Sequence, residues 1–168
     1  DNMPEPRGKP VSSTCFVDAD HAGCRLTRRS HSGVLIFVNR APIIWFSKRQ
    51  ATVESSTFGS ESVAMRQAFD LIEALRYKLR MMGVPIEGAT KVYCDNESVV
   101  NATTRPESTL KKKHSAINYH RCREAIAAEH IRVAWINDTD NLVEDGLTKV
   151  NVCTGTYSHT HSQTHSST

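Results

Sequence analysis

A chain of 168 residues, 39% hydrophobic and 23% charged, holds one globular core and little beyond it. Its net charge of +3 fits a polyanionic partner without demonstrating one. No apolar run is long enough for a membrane span and no signal-peptide pattern is present, which excludes a membrane-spanning helix. The five cysteines (Cys15, Cys24, Cys94, Cys122 and Cys153) show no short Cys-x-x-Cys spacing. They indicate neither a zinc site nor a disulfide framework; an intracellular, reducing setting is expected, with most thiols acting as small core hydrophobes.

Residues 1–12 carry Pro4, Pro6, Pro10 and Gly8 and read as a linker from an upstream region. The start at Asp1 in place of Met suggests a fragment of something longer. A domain over 13–150 follows. Thr14–Ala19 reads as a buried strand that halts at an acidic cluster, Gly33–Val38 as a second strand and Ile43–Ser47 as a third, with short antiparallel connections. After Ser55-Ser56-Thr57, the residues Val63, Ala64, Ala68, Leu71, Ile72, Leu75 and Leu79 fall at helical spacing, closed by Gly83 and Pro85. Lys91–Cys94 is a fourth strand. A short helix is expected over Ser98–Thr103 and a longer one from near Thr109 to Glu129. Ile131–Ile136 reads as the last strand, and Asn141–Lys149 as a short helix with Asp140 as a cap. Trp45 and Trp135, each inside a strand, are expected in the core. From Asn151 the chain is Ser/Thr/His-rich, including His159, His161 and His165, and 151–168 reads as a disordered tail. The order β-β-β-α-β-α-α-β-α is that of an α/β domain whose later strands need helical crossovers.

Four carboxylates stand at unusual places: Asp18 at the end of the first strand, Asp95 after the fourth, Glu61 near the start of the long helix, and Asp145 in the last one. Ligands of α/β sheets collect at the carboxyl ends of strands. Clustered carboxylates repel one another unless cations are present. Oxygen donors suit Mg²⁺, and a pair of such ions about 4 Å apart is a recurrent arrangement in phosphodiester cleavage. Each Asp taken singly could equally be a turn former or a cap.

The local wording decides between these readings. Phe16-Val17-Asp18-Ala19-Asp20-His21-Ala22-Gly23, Arg28-Arg29-Ser30 with Ser32-Gly33, Trp45-Phe46-Ser47-Lys48-Arg49-Gln50 and Val53-Glu54-Ser55-Ser56-Thr57 with Ser60-Glu61 stand in order. They are followed by Tyr93-Cys94-Asp95-Asn96, Lys113-His114, Tyr119-His120-Arg121 and Asp145-Gly146-Leu147-Thr148-Lys149. Together these resemble the ribonuclease H domain of copia-type LTR retrotransposons, which follows the reverse transcriptase in the Pol polyprotein. The resemblance runs through most of residues 14–150. It implies a ribonuclease H-like fold: three antiparallel strands leading into a mixed five-stranded sheet flanked by helices. It also implies an endoribonuclease H that cuts the RNA strand of RNA/DNA hybrids during reverse transcription, with Asp18, Glu61, Asp95 and Asp145 as catalytic residues holding two Mg²⁺ ions, Mn²⁺ being a substitute. The partners implied are the hybrid and the reverse transcriptase domain of the same polyprotein, and the setting is cytoplasmic, within virus-like particles.

The segment Ser-Ser-Thr-Phe-Gly-Ser-Glu is one residue longer than the family's usual Ser-Ser-Thr-Glu-Ala-Glu; Glu61 is aligned because the helix start at Val63-Ala64 follows it, with Glu54 as the alternative. The stretch Asn137–Asn141 lacks the mobile His of cellular relatives, and Asp138 or Asp140 competes with Asp145 for the fourth position. Lys111, Lys112 and Lys113 form the densest basic stretch, suited to backbone phosphates or to a solvated helix face. Arg28 and Arg29 sit in the loop after Asp18, and Ser30, Ser32, Asn96 and Ser98 are candidates for contacts with 2′-hydroxyls. His21 is expected in an exposed or supporting role. Two rival functions stand beside the nuclease: a non-catalytic nucleic-acid-binding or tethering module of the same fold, and a polynucleotidyl transferase, whose usual Asp-Asp-Glu order differs from the Asp-Glu-Asp-Asp order here.

Overall fold

The computed structural model describes residues 3–24, 26–105, 116–143 and 147. Five strands form one sheet: β1 (Ser13–Asp20), β2 (His31–Val38), β3 (Ala41–Arg49), β4 (Thr90–Cys94) and β5 (Ile131–Trp135). The helices are α1 (Thr57–Met81), α2 (Glu97–Thr104) and α3 (Ala116–Ala127), and Asp138–Asp140 forms a 3₁₀ turn. The sheet order is β3-β2-β1-β4-β5. The first three strands pair antiparallel through short loops, whereas β1–β4 and β4–β5 are parallel and need the crossovers that α1 and the α2–α3 pair provide. This is the mixed sheet expected from the resemblance.

The long apolar face of α1 explains where the core sits. Ala64, Met65, Ala68, Phe69, Ile72, Leu75 and Leu79 recur at helical spacing and are buried, packed with Cys15, Val17, Val34, Ile36 and Val92 of the sheet. Ser56 starts the helix by accepting the Gly59 N–H at 3.2 Å. Gly83, at φ +71°, lets the chain turn out of the helix, and a side chain there would also crowd the Glu5 carbonyl at 3.2 Å. The predicted linker runs exposed past this turn, with the Arg7 N–H donating to the Gly83 carbonyl at 2.8 Å. Cys15, Cys24, Cys94 and Cys122 are buried, as expected of small core hydrophobes; Cys153 lies outside the described residues. Among the described residues no helix is long and apolar enough to cross a membrane.

Two expectations about the core need correction. Trp45 and Trp135 are 62% and 53% exposed. Both lie on the outermost strands. On β3 the alternation turns Ile44 and Phe46 inward, so Trp45 stands on the other face, in register with Leu35, Phe16, Tyr93 and Ala134 across the sheet. Trp135 uses its indole N–H at the rim, donating to the Asp95 carbonyl at 2.9 Å. The part of the predicted second long helix before Ala116, and most of the predicted Asn141–Lys149 helix, fall outside the described residues.

Candidate active site

The parallel pairing of β1 with β4 sets the carboxyl ends of these strands side by side, which is where Asp18 and Asp95 stand. Asp18 lies opposite Gly33 in the β1–β2 ladder and is 6% exposed. Glu61 enters from the second turn of α1 and is 3% exposed. Its Oε1 accepts the Ala19 N–H at 3.2 Å, which fastens the helix start to the strand end. Its Oε2 is buried and receives no hydrogen bond from an N–H or hydroxyl among the described residues. Ligand atoms of Glu61, Cys94 and Asp95 lie within 4.8 Å of one another.

This crowding is visible in the acidities. Burial first, then the charges of Asp18 and Asp95, hold the Glu61 carboxyl well above the ordinary range, opposed by the Ala19 N–H; a hydrogen bond with the Asp18 carboxyl raises it further. Asp95 is pushed up to about 6, by burial and by the charge of Asp18, and the Asn141 amide pulls it back. Asp138 adds to the rise through its charge and a side-chain hydrogen bond. Cys94 is raised strongly by burial and by the neighbouring acids, so it stays a neutral thiol. The available donors are therefore hard carboxylate oxygens, one of them orphaned inside the protein, and that set fits Mg²⁺ or Mn²⁺.

The structure brings three of the four predicted catalytic positions together. Asp145 lies outside the described residues. Of its rivals, Asp138 reaches Asp95 from the exposed 3₁₀ turn. Glu54, the alternative to Glu61, stands before α1 and accepts the Thr52 hydroxyl at 3.0 Å, and it is not among the acids whose charge acts on Glu61 or Asp95.

The predicted hybrid contacts divide. Arg28 is exposed and Arg29 half-buried in the β1–β2 loop, at the carboxylate end of the sheet; Arg28 takes a left-handed φ of 55° there. Ser98 is exposed in the first turn of α2, and Asn96 caps that helix by accepting the Val99 N–H at 3.2 Å. Ser32 is a correction. It is fully buried, and its hydroxyl accepts the Gln50 Nε2 at 3.0 Å, so it belongs to the internal frame and not to a groove. Ser30 is buried too, accepting the Ala22 N–H at 3.0 Å. Lys111, Lys112 and Lys113 lie outside the described residues.

Three polar residues that carried no role in the sequence reading hold this end in place. Gln50, 1% exposed, donates to Ser32 and to the Ser60 carbonyl at 2.8 Å, joining β2 to the start of α1 next to Glu61. Ser60 Oγ lies 3.4 Å from His21 Nδ1, which holds the half-buried imidazole against the start of α1. Asn141, 6% exposed, donates to both Asp95 and the Val17 carbonyl. None of them belongs to an apolar period or a charge cluster; Gln50 and Ser60 lie inside phrases that carry the resemblance, but what each of the three holds in place is visible only in the fold.

Comparison with known proteins follows the same line. No protein-family model matches the chain. It is 28% identical over 143 residues to the retrovirus-related Pol polyprotein from transposon RE1 of Arabidopsis thaliana, covering 85% of this chain and 10% of that protein. It is 31% identical over 135 residues to the polyprotein from transposon TNT 1-94 of Nicotiana tabacum, covering 80% of this chain and 10% of the relative. The chain thus spans about a tenth of the length of the curated relatives it matches. Its structure is similar to RNase H1 from the archaeon Halobacterium salinarum, with a TM-score of 0.61 at 11% identity, covering 82% of this chain and 94% of that one. It is also similar to LC11-RNase H1 in complex with RNA/DNA hybrid, with a TM-score of 0.60 at 13% identity, covering 78% and 89%. At such identities the likeness establishes the fold, and the fold is that of ribonuclease H.

Proposed function

We propose that this chain, a homologue of retrovirus-related transposon Pol polyproteins built on the ribonuclease H fold, hydrolyses the RNA strand of an RNA/DNA hybrid at Asp18, Glu61 and Asp95. The observation that carries the reading is the convergence of three acids, two of them almost fully buried, on one strand end, with the Glu61 Oε2 left without a donor. Buried like charges are costly to a fold and persist where a cation is bound. Asp18, Glu61 and Asp95, with Asp145 as the fourth, would hold the ions. The chemistry that divalent cations supply at such a site is activation of water and neutralisation of charge on the phosphodiester.

The remaining work belongs to the chain. Ala19 N–H fixes one Glu61 oxygen and leaves the other to face the neighbouring acids. Arg28 and Arg29, in the β1–β2 loop, would meet backbone phosphates of the hybrid, and Asn96 and Ser98 would offer polar groups at the start of α2. That a similar fold has been solved in complex with RNA/DNA hybrid supports this choice of substrate. The reading extends to products with 5′-phosphate and 3′-hydroxyl ends, to a reverse transcriptase domain as the neighbour in a longer polyprotein, and to cytoplasmic virus-like particles as the place of action.

The test is cleavage of an end-labelled RNA/DNA hybrid in Mg²⁺ and in Mn²⁺, beside single-stranded RNA, duplex RNA and duplex DNA. Cutting confined to the RNA of the hybrid, and lost in Asp95→Asn, is the expected result. A folded protein that binds the hybrid and never cuts it would favour the non-catalytic binding module instead.

A further inference from the structure

We infer that Asn141 is a positioning residue that sets the Asp95 carboxylate in the orientation the site requires. The inference rests on the reading of Asp18, Glu61 and Asp95 as holders of divalent cations. The parallel ladder between β1 and β4 has its last pair at Phe16 and Tyr93. One residue further, the Val17 carbonyl accepts a hydrogen bond from Asn141 Nδ2 at 3.2 Å. The same Nδ2 donates to Asp95 Oδ2, also at 3.2 Å. Asn141 Oδ1 accepts the Val143 N–H at 3.3 Å, which fixes which way the amide faces. All three functions of one amide are thus engaged in a side chain only 6% exposed.

A carboxylate on the turn after a strand is free to rotate about its own bonds. Asp95 has a backbone already held, since its carbonyl accepts the Trp135 indole N–H and the preceding Cys94 carbonyl accepts the Ile136 N–H at 3.1 Å. The Asn141 amide adds the missing restraint on the side chain. It also contributes a donor where the neighbouring groups are acids: Asp18, Glu61 and Asp138. An aspartate in place of Asn141 could not donate, and an apolar residue would leave the Val17 carbonyl and one Asp95 oxygen unserved. Residues that orient metal-holding carboxylates typically change ion affinity or activity by about 10–100-fold when lost.

The experiment uses the full chain and its Asn141→Leu variant, similar in size and without a donor. Mn²⁺ is titrated into each and free Mn²⁺ is read by electron paramagnetic resonance, with steady-state hybrid cleavage alongside. The expected result is Mn²⁺ binding weaker by about 10-fold or more in the variant, a comparable fall in kcat, and a KM for hybrid within about 2-fold of the wild type. Should Asn141→Leu fail to melt cooperatively, Asn141→Ser, too short to reach Asp95, takes its place. A folded variant with unchanged Mn²⁺ affinity, even one with a lowered melting temperature, overturns the inference and assigns Asn141 to stability alone. A wild type that takes up no Mn²⁺ overturns the reading of the carboxylates, and this inference with it.

Discussion

Two groups of acids in this molecule are built on opposite principles. On the flank of α1, Asp70 and Glu73 face arginines: Arg121 Nε lies 3.3 Å from Asp70, its guanidinium grips Glu73, and Arg66 approaches Asp70 at 3.5 Å. His130 stands 3.8 Å from Glu73. These side chains are between 28% and 47% exposed, so water and salt share the load. At the carboxyl end of the sheet the acids face each other. Among the described residues no arginine, lysine or histidine is ion-paired with Glu61 or Asp95, and burial makes the mutual repulsion worse. The first group is a local solution to charge, complete within the protein. The second is the group that the proposed reading completes with divalent cations, and on that reading the difference is the one between a structural ion pair and a site.

The largest expected effect breaks the second group. Asp95→Asn or Glu61→Gln should lower hybrid cleavage by about 10³-fold or more, because the loss of several kcal/mol of charge stabilisation translates at roughly 1.4 kcal/mol per decade. Asp70→Asn should leave the cleavage rate within about 2-fold, since it touches only the paired group. Single-turnover rates on a labelled hybrid measure both.

A smaller effect separates the groups by pH. Glu61 and Asp95 hold protons more tightly folded than unfolded, so across the interval from the ordinary carboxylate range to the folded value of about 6 for Asp95 the folded state carries more protons. Their contribution to stability is therefore full at low pH and is lost as pH rises through that interval. In chelator, the wild type should lose more melting temperature over this rise than Glu61→Gln does, as calorimetry can show; equal slopes would contradict the picture. The smallest effect belongs to the surface. Arg121→Ala should cost roughly 0.2–1 kcal/mol by urea denaturation, shrinking in high salt.

The elements were largely legible because period and punctuation encode them: the α1 stripe from Ala64 to Leu79, and the apolar runs of β1, β2 and β4 that stop at polar residues. The three gathered acids were legible as a set, through the resemblance and their places at element ends, even though burial of each could not be read from any one phrase. What the sequence hides is which face of an outer strand is covered. Trp45 and Trp135 sit in well-formed strand patterns, yet their exposure depends on where the helices pack. Ser32 shows the same limit in reverse: a serine in a polar stretch looks available, and only the position of Gln50 shows that its hydroxyl is engaged inside. Asn141 depends on a contact with Val17, 124 residues away in the chain, which no local pattern signals.

The central claim is that the buried acids are a cation site and not a structural feature, and thermal melting of wild type and Glu61→Gln near neutral pH, in chelator and then in Mg²⁺, tests it most directly. The account expects the variant to melt higher than the wild type in chelator, because repulsion is relieved. It expects Mg²⁺ at about 100 times its Kd to stabilise the wild type by up to about 2.7 kcal/mol and the variant by much less, reversing or closing the gap. A wild type indifferent to Mg²⁺, with a Glu61→Gln variant less stable under both conditions, would show that Glu61 serves the fold alone and would contradict the account.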